Sequence, residues 1–467
     1  MFCSSVKMQK FLGLLLVIFN VAHAIISPPN VVLEISAEIF NDWRDIRKEF
    51  MDSMKHPMGL PHFNCSRPML DPATSVHQLH PSQIDVIAAL GDSVTVAQAA
   101  KSSSIFDIFE QYPGVSFVTG DDVTLNEQST LINMFRKFSP RIKGGSSDKT
   151  DKFYDFNLAV PGSFSYELPE QAKNLVKTLE KRLGSENSKK WKLVNIFIGH
   201  NDLCNVCNNE TLYGPETFGK SIKSALSIIQ SGIPNVFVNV MPPINVQIHS
   251  QAHQISPFCE LSHKQTCSCI FELNQEEYLK IKKRFDKQLE EIVREVQETT
   301  KESNSFTVVI APAMDLKSIP RLGDKPNIGL LALDCFHLSP IAHDIAAKQI
   351  WKGLFEPIQR KTITSQLSVG FDKFVCPPME CPYLRTNLNS NNCAPPKNMR
   401  LLPIIPGNNS IGVSMPPFLI PGFFLMGTVL VLLFVRASTR RPSSEFSDER
   451  HYLLLPMRRA DLNDNIF

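Results

Sequence analysis

Four short apolar runs, at residues 85–90, 193–198, 236–240 and 306–310, constrain this chain more than any other feature. Three of them are rich in β-branched residues and nearly continuous, so each suits a strand covered on both faces rather than one with a wet side. Helical patterns lie between them. Residues 215–230 carry Ile222, Leu226, Ile228 and Ile229, and residues 275–300 carry Leu279, Phe285, Leu289, Ile292 and Val293, near helical spacing. Buried strands that alternate with helices predict an α/β domain with a mainly parallel sheet over residues 82–375. A segment at 25–81, helical in pattern over 32–54, precedes it. Residues 244–273, with Cys259, Cys267 and Cys269, make a loop too long for an idle connection, which predicts a lid, a binding loop or a disulfide-stapled excursion.

The two ends predict the compartment. Lys7 and Lys10 precede an apolar stretch at 11–19, and Ala22-His23-Ala24 follows as a small-x-small cleavage site, the pattern of a secretory signal peptide at 1–24. Residues 418–435 hold no charge, and 18 residues at about 1.5 Å each give about 27 Å of helix, enough for a transmembrane helix, placed at 416–435. Arg436, Arg440 and Arg441 follow it at once, so the positive-inside rule puts the tail, 436–467, in the cytosol. That topology is single-pass type I at the cell membrane, with residues 376–415, rich in Pro, Asn and Cys, as a stalk. The polar tail argues against a glycolipid-anchor signal. Glu449 with Leu453-Leu454 has the form of an acidic dileucine sorting signal.

Without Cys3, ten of the 11 cysteines remain, all on the outer side, which points to disulfides. Cys204 and Cys207 with Cys267 and Cys269 also have a spacing open to zinc, the weaker reading in a secreted domain. Asn64, Asn209 and Asn408 head glycosylation sequons on the same side. With 48 Lys+Arg against 46 Asp+Glu, a net charge of +2 argues against a nucleic-acid partner held by phosphate attraction.

Gly91-Asp92-Ser93 follows the first strand, where a serine hydroxyl is presented at the carboxyl edge of the sheet. A helix is predicted after it, putting the Ser93 amide at a helix N-terminus suited to an oxyanion. Three more elements follow in order: Asn157 to Gly162-Ser163, Gly199-His200-Asn201-Asp202 just past the second strand, and Asp334-Cys-Phe-His337 before a helix to about Gly353. His200 and His343 compete for the role of base, but neither has an Asp at the spacing that His337 has to Asp334. Cys335 reads as buried or bridged rather than as a catalytic thiol.

These four blocks resemble those of the GDSL, or SGNH, hydrolases over about residues 85–353. The resemblance implies a flavodoxin-like α/β/α three-layer fold, with Ser93 as nucleophile, His337 as general base and Asp334 as its orienting carboxylate. It also implies an oxyanion site made by the Ser93 and Gly162 amides and the Asn201 side chain, with no cofactor and no metal. Asp92 and Asp202 read as structural hydrogen-bonders. With its apparent signal, Cys-bearing segment and span, the whole chain is similar to the membrane-associated phospholipase B group. That likeness implies phospholipid and lysophospholipid substrates at a membrane. Two departures are a single unit where larger members carry tandem repeats, and Val-Ala-Gln after Thr95 where many have a Gly. Retinyl esters or glycerides are alternative substrates, and a catalytically retired surface binding protein is the alternative outside enzymes.

Overall fold

The computed structural model describes residues 29–54, 58–149, 155–312, 314, 318–358, 375–393 and 400–402, all within one compact unit, Met1–Ile404. The segments expected as a signal peptide, 1–24, and a transmembrane helix, 416–435, lie outside the described residues, as do Asn408, the dileucine and the tail. No helix among the described residues is long and apolar enough to cross a membrane.

The four apolar runs become strands β1 (Ile84–Gly91), β2 (Trp191–Phe197), β3 (Val236–Met241) and β4 (Phe306–Ile310). They pair in sequence order and all parallel. Their carboxyl ends line up, with Gly91 opposite Phe197 and Phe197 opposite Met241. On the outer side of β1 the chain adds isolated pairings rather than a full strand: Ile87 N–H donates to Lys143 O at 2.9 Å, Leu158 N–H to Ala89 O at 2.9 Å and Val160 N–H to Gly91 O at 3.1 Å. That edge brings the segment ahead of Gly162 to the same end of the sheet as Ser93.

Helices cover both faces: α1 (Pro29–Ser53), α2 (Leu131–Phe138), α3 (Leu168–Leu183), α4 (His200–Asn205), α5 (Pro215–Gly232), α6 (Pro257–Thr266), α7 (Gln275–Thr299) and α8 (Pro340–Leu354). Because successive strand residues point to opposite faces, the sheet divides two cores. Ile87, Ala89, Leu193, Phe197 and Phe237 pack with Trp43 of α1, Phe135 and Phe138 of α2, and Ile345 and Trp351 of α8. Val86, Ala88, Leu90, Val194, Ile196 and Val238 pack with Leu175 of α3, Leu226 of α5, and Phe285 and Leu289 of α7. Continuous burial along the strands is thus the trace of helices on both sides.

The ten cysteines from Cys65 to Cys393 are all bridged: Cys65–Cys376, Cys204–Cys267, Cys207–Cys269, Cys259–Cys335 and Cys381–Cys393. The four cysteines open to a zinc reading are paired with each other as disulfides, which uses up their thiolates. The 244–273 excursion is stapled at both ends of its α6 region, to the C-terminal end of α4 through Cys204 and Cys207 and to Cys335.

One expectation needs correction. Residues 92–101 form turns, not a helix, so the Ser93 amide does not head one. The Thr95 carbonyl is taken by Ser116 Oγ at 2.7 Å and Asn157 Nδ2 at 3.3 Å, and the Ala99 amide that a helix would give it binds Glu110 O at 2.9 Å. Ala97 and Ala99 then adopt left-handed φ of 58°, which ends any helix. Residues 376–393, the first part of the segment expected as a disulfide-pinned exit and stalk, are pinned by Cys65–Cys376 and lie against the domain. Cys381 and Leu384 are buried, Leu384 N–H donates to Leu79 O at 2.8 Å, and Trp351 Nε1 donates to Val375 O at 2.8 Å.

Candidate active site

Each block leaves the sheet at its carboxyl edge. Gly91 ends β1, and a Cβ there would sit 2.2 Å from Phe197 O, so the close approach of β2 demands glycine. Ser93 follows, only 6% exposed. From the other side comes the turn before α8. Asp334 Oδ1 accepts the amides of Phe336 at 3.1 Å and His337 at 3.0 Å, closing the loop around its own carboxylate. The other oxygen, Oδ2, receives His337 Nδ1–H, and His337 Nε2 lies 2.7 Å from Ser93 Oγ. Residues 244 apart in sequence are joined in one hydrogen-bonded series.

Electrostatics follow from burial. Desolvation pushes the Asp334 carboxyl up, but the charge and hydrogen bond of His337 and the two loop amides outweigh it and hold the group below its ordinary value. The carboxylate is therefore ionised and fixes the tautomer with the proton on Nδ1, leaving Nε2 free to accept from Ser93. The preceding turn is braced by α1: Trp43 Nε1 donates to Leu333 O at 2.8 Å and Arg47 Nε to Leu331 O at 2.6 Å.

Gly162 has φ of +77°, and nothing lies within 4 Å of where a Cβ would be, so its glycine answers a backbone need and the space beside it is open. Asn201, in the first turn of α4, donates one Nδ2 proton to Ser163 O at 2.9 Å. An amide has two such protons. Ser93, Gly162, Asn201, Asp334 and His337 all line one groove of about 370 Å³, together with Ile39, Ile105, Ile108, Phe109, Phe258 and Leu261. Its size lies in the range of small-molecule sites. A concave apolar wall with a few polar groups at one end suits an amphiphile whose polar linkage rests on those groups.

The other residues singled out in sequence take structural places. Asp202 binds Ser165 through its hydroxyl at 2.6 Å and its amide at 2.9 Å, and burial raises its carboxyl to about 6. His343 is fully buried in α8, accepts the Phe117 amide at 3.3 Å and is driven to about 3 by burial and by His337. His200 does have a carboxylate, from a distance no local spacing could reveal: its Nδ1 lies 2.7 Å from Asp92 Oδ2, across 108 residues. What separates the histidines is contact with Ser93, which His337 makes. Asn64 and Asn209 are exposed, and Asn209 Oδ1 also caps a short helix by accepting Leu212 N–H at 3.1 Å. Sequence reasoning missed the groove walls at 105–109 and the contribution of Ile39 from α1. It also missed histidines 249 and 263 behind the Asp334 turn, since nothing in their local pattern marks them.

The family model described as GDSL-like lipase/acylhydrolase matches residues 87–350. Among curated proteins, "Phospholipase B1, membrane-associated" of Rattus norvegicus is 34% identical over 346 residues, 70% of this chain and 24% of that protein. The proteins of the same name from Mus musculus and Homo sapiens are 33% and 32% identical, each over 68% of this chain and 22% of their own length. The chain thus spans about a quarter of the length of these relatives. The matched region runs from inside β1 into the last turns of α8, so it takes in every strand of the sheet and all five polar groups of the groove, and the chain belongs to the GDSL-like lipase/acylhydrolase family.

Proposed function

We propose that this protein is a serine ester hydrolase of the phospholipase B type, releasing fatty acid from phospholipids and lysophospholipids at an outer membrane surface. The observation that carries the reading is the series Ser93 Oγ to His337 Nε2, at 2.7 Å, to the Asp334 carboxylate, at one end of an apolar groove. A serine hydroxyl is a poor nucleophile without such a base.

In the reaction, Ser93 Oγ attacks the ester carbonyl carbon while its proton passes to His337 Nε2, and Asp334 stabilises the imidazolium formed. The carbonyl oxygen gains the negative charge and is met by the Ser93 and Gly162 amides and the second Nδ2 proton of Asn201, each such donor contributing about 2.7–4 kcal/mol. The carbon–oxygen bond to the alcohol breaks, the leaving alkoxide takes the proton from His337, and an acyl ester remains on Ser93. Water then attacks that ester, giving its proton to His337, and release of the fatty acid returns the proton to Ser93. The acyl chain lies along Ile105, Ile108, Phe109 and Leu261.

The flavodoxin-like three-layer arrangement, the signal peptide at 1–24, the span at 416–435 and the sequons Asn64, Asn209 and Asn408 complete the reading, placing the hydrolase domain outside the cell as a single-pass type I protein. Tethering would keep the groove near its substrate without bulk electrostatic attraction, in keeping with a net charge of +2. Ser93→Ala and His337→Ala are expected to abolish fatty-acid release from phosphatidylcholine and lysophosphatidylcholine while secretion persists. Wild-type turnover in either variant refutes the assignment. A panel containing retinyl ester and triglyceride fixes the substrate class, and a wild-type protein that no fluorophosphonate labels would favour a retired binding protein.

A further inference from the structure

Three consecutive carbonyls of the loop that carries Asp334 and His337 meet side chains of the 244–273 excursion. Ser262 Oγ donates to Asp334 O at 2.9 Å, His263 Nε2 contacts Cys335 O at 3.0 Å, and His249 Nε2 contacts Phe336 O at 3.0 Å. The Cys259–Cys335 bridge fastens the same excursion to the same loop. His249 also stacks on the Phe336 ring, with centroids 4.7 Å apart at 15°, and that ring stands edge-on to His337 at 5.3 Å.

The partners of His263 point to one proton arrangement. A carbonyl only accepts, so His263 must carry its proton on Nε2, and its Nδ1 then accepts from His253 Nε2 at 2.7 Å. His263 is fully buried and His249 only 5% exposed, and desolvation keeps both neutral at physiological pH. An apolar residue at position 263 would avoid that desolvation cost but leave the Cys335 carbonyl without its donor. His249 faces two carbonyls, Val246 O at 2.9 Å from Nδ1 and Phe336 O at 3.0 Å from Nε2, and its neutral ring donates to only one of them. Cys335, at φ +68°, is in a conformation that neighbouring structure must enforce.

We propose that Ser262 and His263 are positioning residues for His337: they donate to the Asp334 and Cys335 carbonyls and hold the Asp334–His337 loop, so that the imidazole stays aligned between Asp334 and Ser93. The proposal rests on the hydrolase reading above and adds to it that the excursion, besides walling the groove, sets the reach of the general base. Displacement of a reacting group by about 1 Å can cost about a hundredfold in rate.

The test compares His263→Leu with His263→Gln, whose side-chain amide restores a donor. Turnover is expressed per fluorophosphonate-titrated site, so that misfolded protein does not count. His263→Leu is expected to lower kcat at least about tenfold with KM within about threefold, and His263→Gln to recover most of it, as for loss of an alignment rather than of binding. The downfield proton resonance of the His337–Asp334 hydrogen bond should shift or broaden in the Leu variant and return in the Gln variant, a readout that needs no turnover. A kcat per site within twofold of wild type in His263→Leu, or a Gln variant that folds yet is no better than Leu, overturns the proposal. If His263→Leu does not fold, Ser262→Ala decides: a kcat per site lowered at least threefold supports the proposal and an unchanged one overturns it. A wild type that turns over no ester, with the proton resonance still responding to His263→Leu, sinks the hydrolase reading and leaves the positioning role standing.

Discussion

Replacing Asp334 by Asn preserves the outline of the side chain and reverses one polarity. Asn Oδ1 can still accept the amides of Phe336 and His337, now at 3.1 and 3.0 Å, so the turn keeps its closure. The other terminus becomes an NH2 group facing His337 Nδ1, and two donors cannot face each other. Nδ1 must therefore accept, and the ring proton moves to Nε2, where it points at Ser93 Oγ across 2.7 Å. A ring protonated there cannot take the serine proton. The same swap in a serine protease triad costs about 10⁴ in kcat, equivalent to about 5.5 kcal/mol of transition-state stabilisation at about 1.4 kcal/mol per decade. We expect a loss of about 10³–10⁴ here, with KM changed less than about threefold, because the groove wall is untouched. Folding should survive, since the isosteric amide keeps both backbone contacts that close the turn. The assay is fatty-acid release from lysophosphatidylcholine at pH 8, with thermal unfolding measured on the same preparations. A loss below about tenfold in a folded variant would refute the tautomer argument.

Two further outcomes follow from the same geometry. Ile108→Trp should fill part of the groove: denying burial to two methylenes costs about 1.6 kcal/mol, so kcat/KM for long-chain esters should fall about 15-fold while that for a two-carbon acyl ester holds. An equal fall for both chain lengths would place the acyl chain elsewhere. Acidification should destabilise the fold, because burial lowers His249 to about 4, and His263 and His343 to about 3, from an ordinary 6.5. Between those values the unfolded chain binds more protons than the native one, so the stability they contribute is full above pH 6.5 and is lost as pH falls, by up to about 1.4 kcal/mol per pH unit for each histidine. Asp202, raised to about 6, binds its proton in the native state and acts the opposite way. Three groups outweigh one, and the melting temperature should drop from pH 7 to pH 5; a flat or rising profile contradicts the burial of these rings as neutral species.

Much of the site was legible because its polar groups sit in short contiguous blocks just past apolar strands. Asp334 and His337 are three residues apart, and a turn that closes on the carboxylate forces them together. Gly91 and Gly162 reveal backbone needs that any sequence must meet with glycine. The helix predicted after Ser93 failed because its competitors come from far away: Ser116, Asn157 and Glu110 take the hydrogen bonds a helix would use. The Asp92–His200 pair and the histidines behind the Asp334 turn were invisible for the same reason.

The sequence by itself determined the parallel α/β plan, since continuous β-branched runs cannot stay stable with a wet face, and it determined which serine and which histidine stand at the sheet's carboxyl edge. Tertiary structure alone decided which cysteines pair, and that the 244–273 excursion walls the groove and meets the carbonyls of the Asp334–His337 loop. It alone decided, too, that the segment after Cys376 returns to the domain. Local sequence encodes periodicity and turn chemistry, both of which act over a few residues. Disulfides, groove walls and second hydrogen bonds join positions tens to hundreds of residues apart, and only the folded chain selects among the many such pairings.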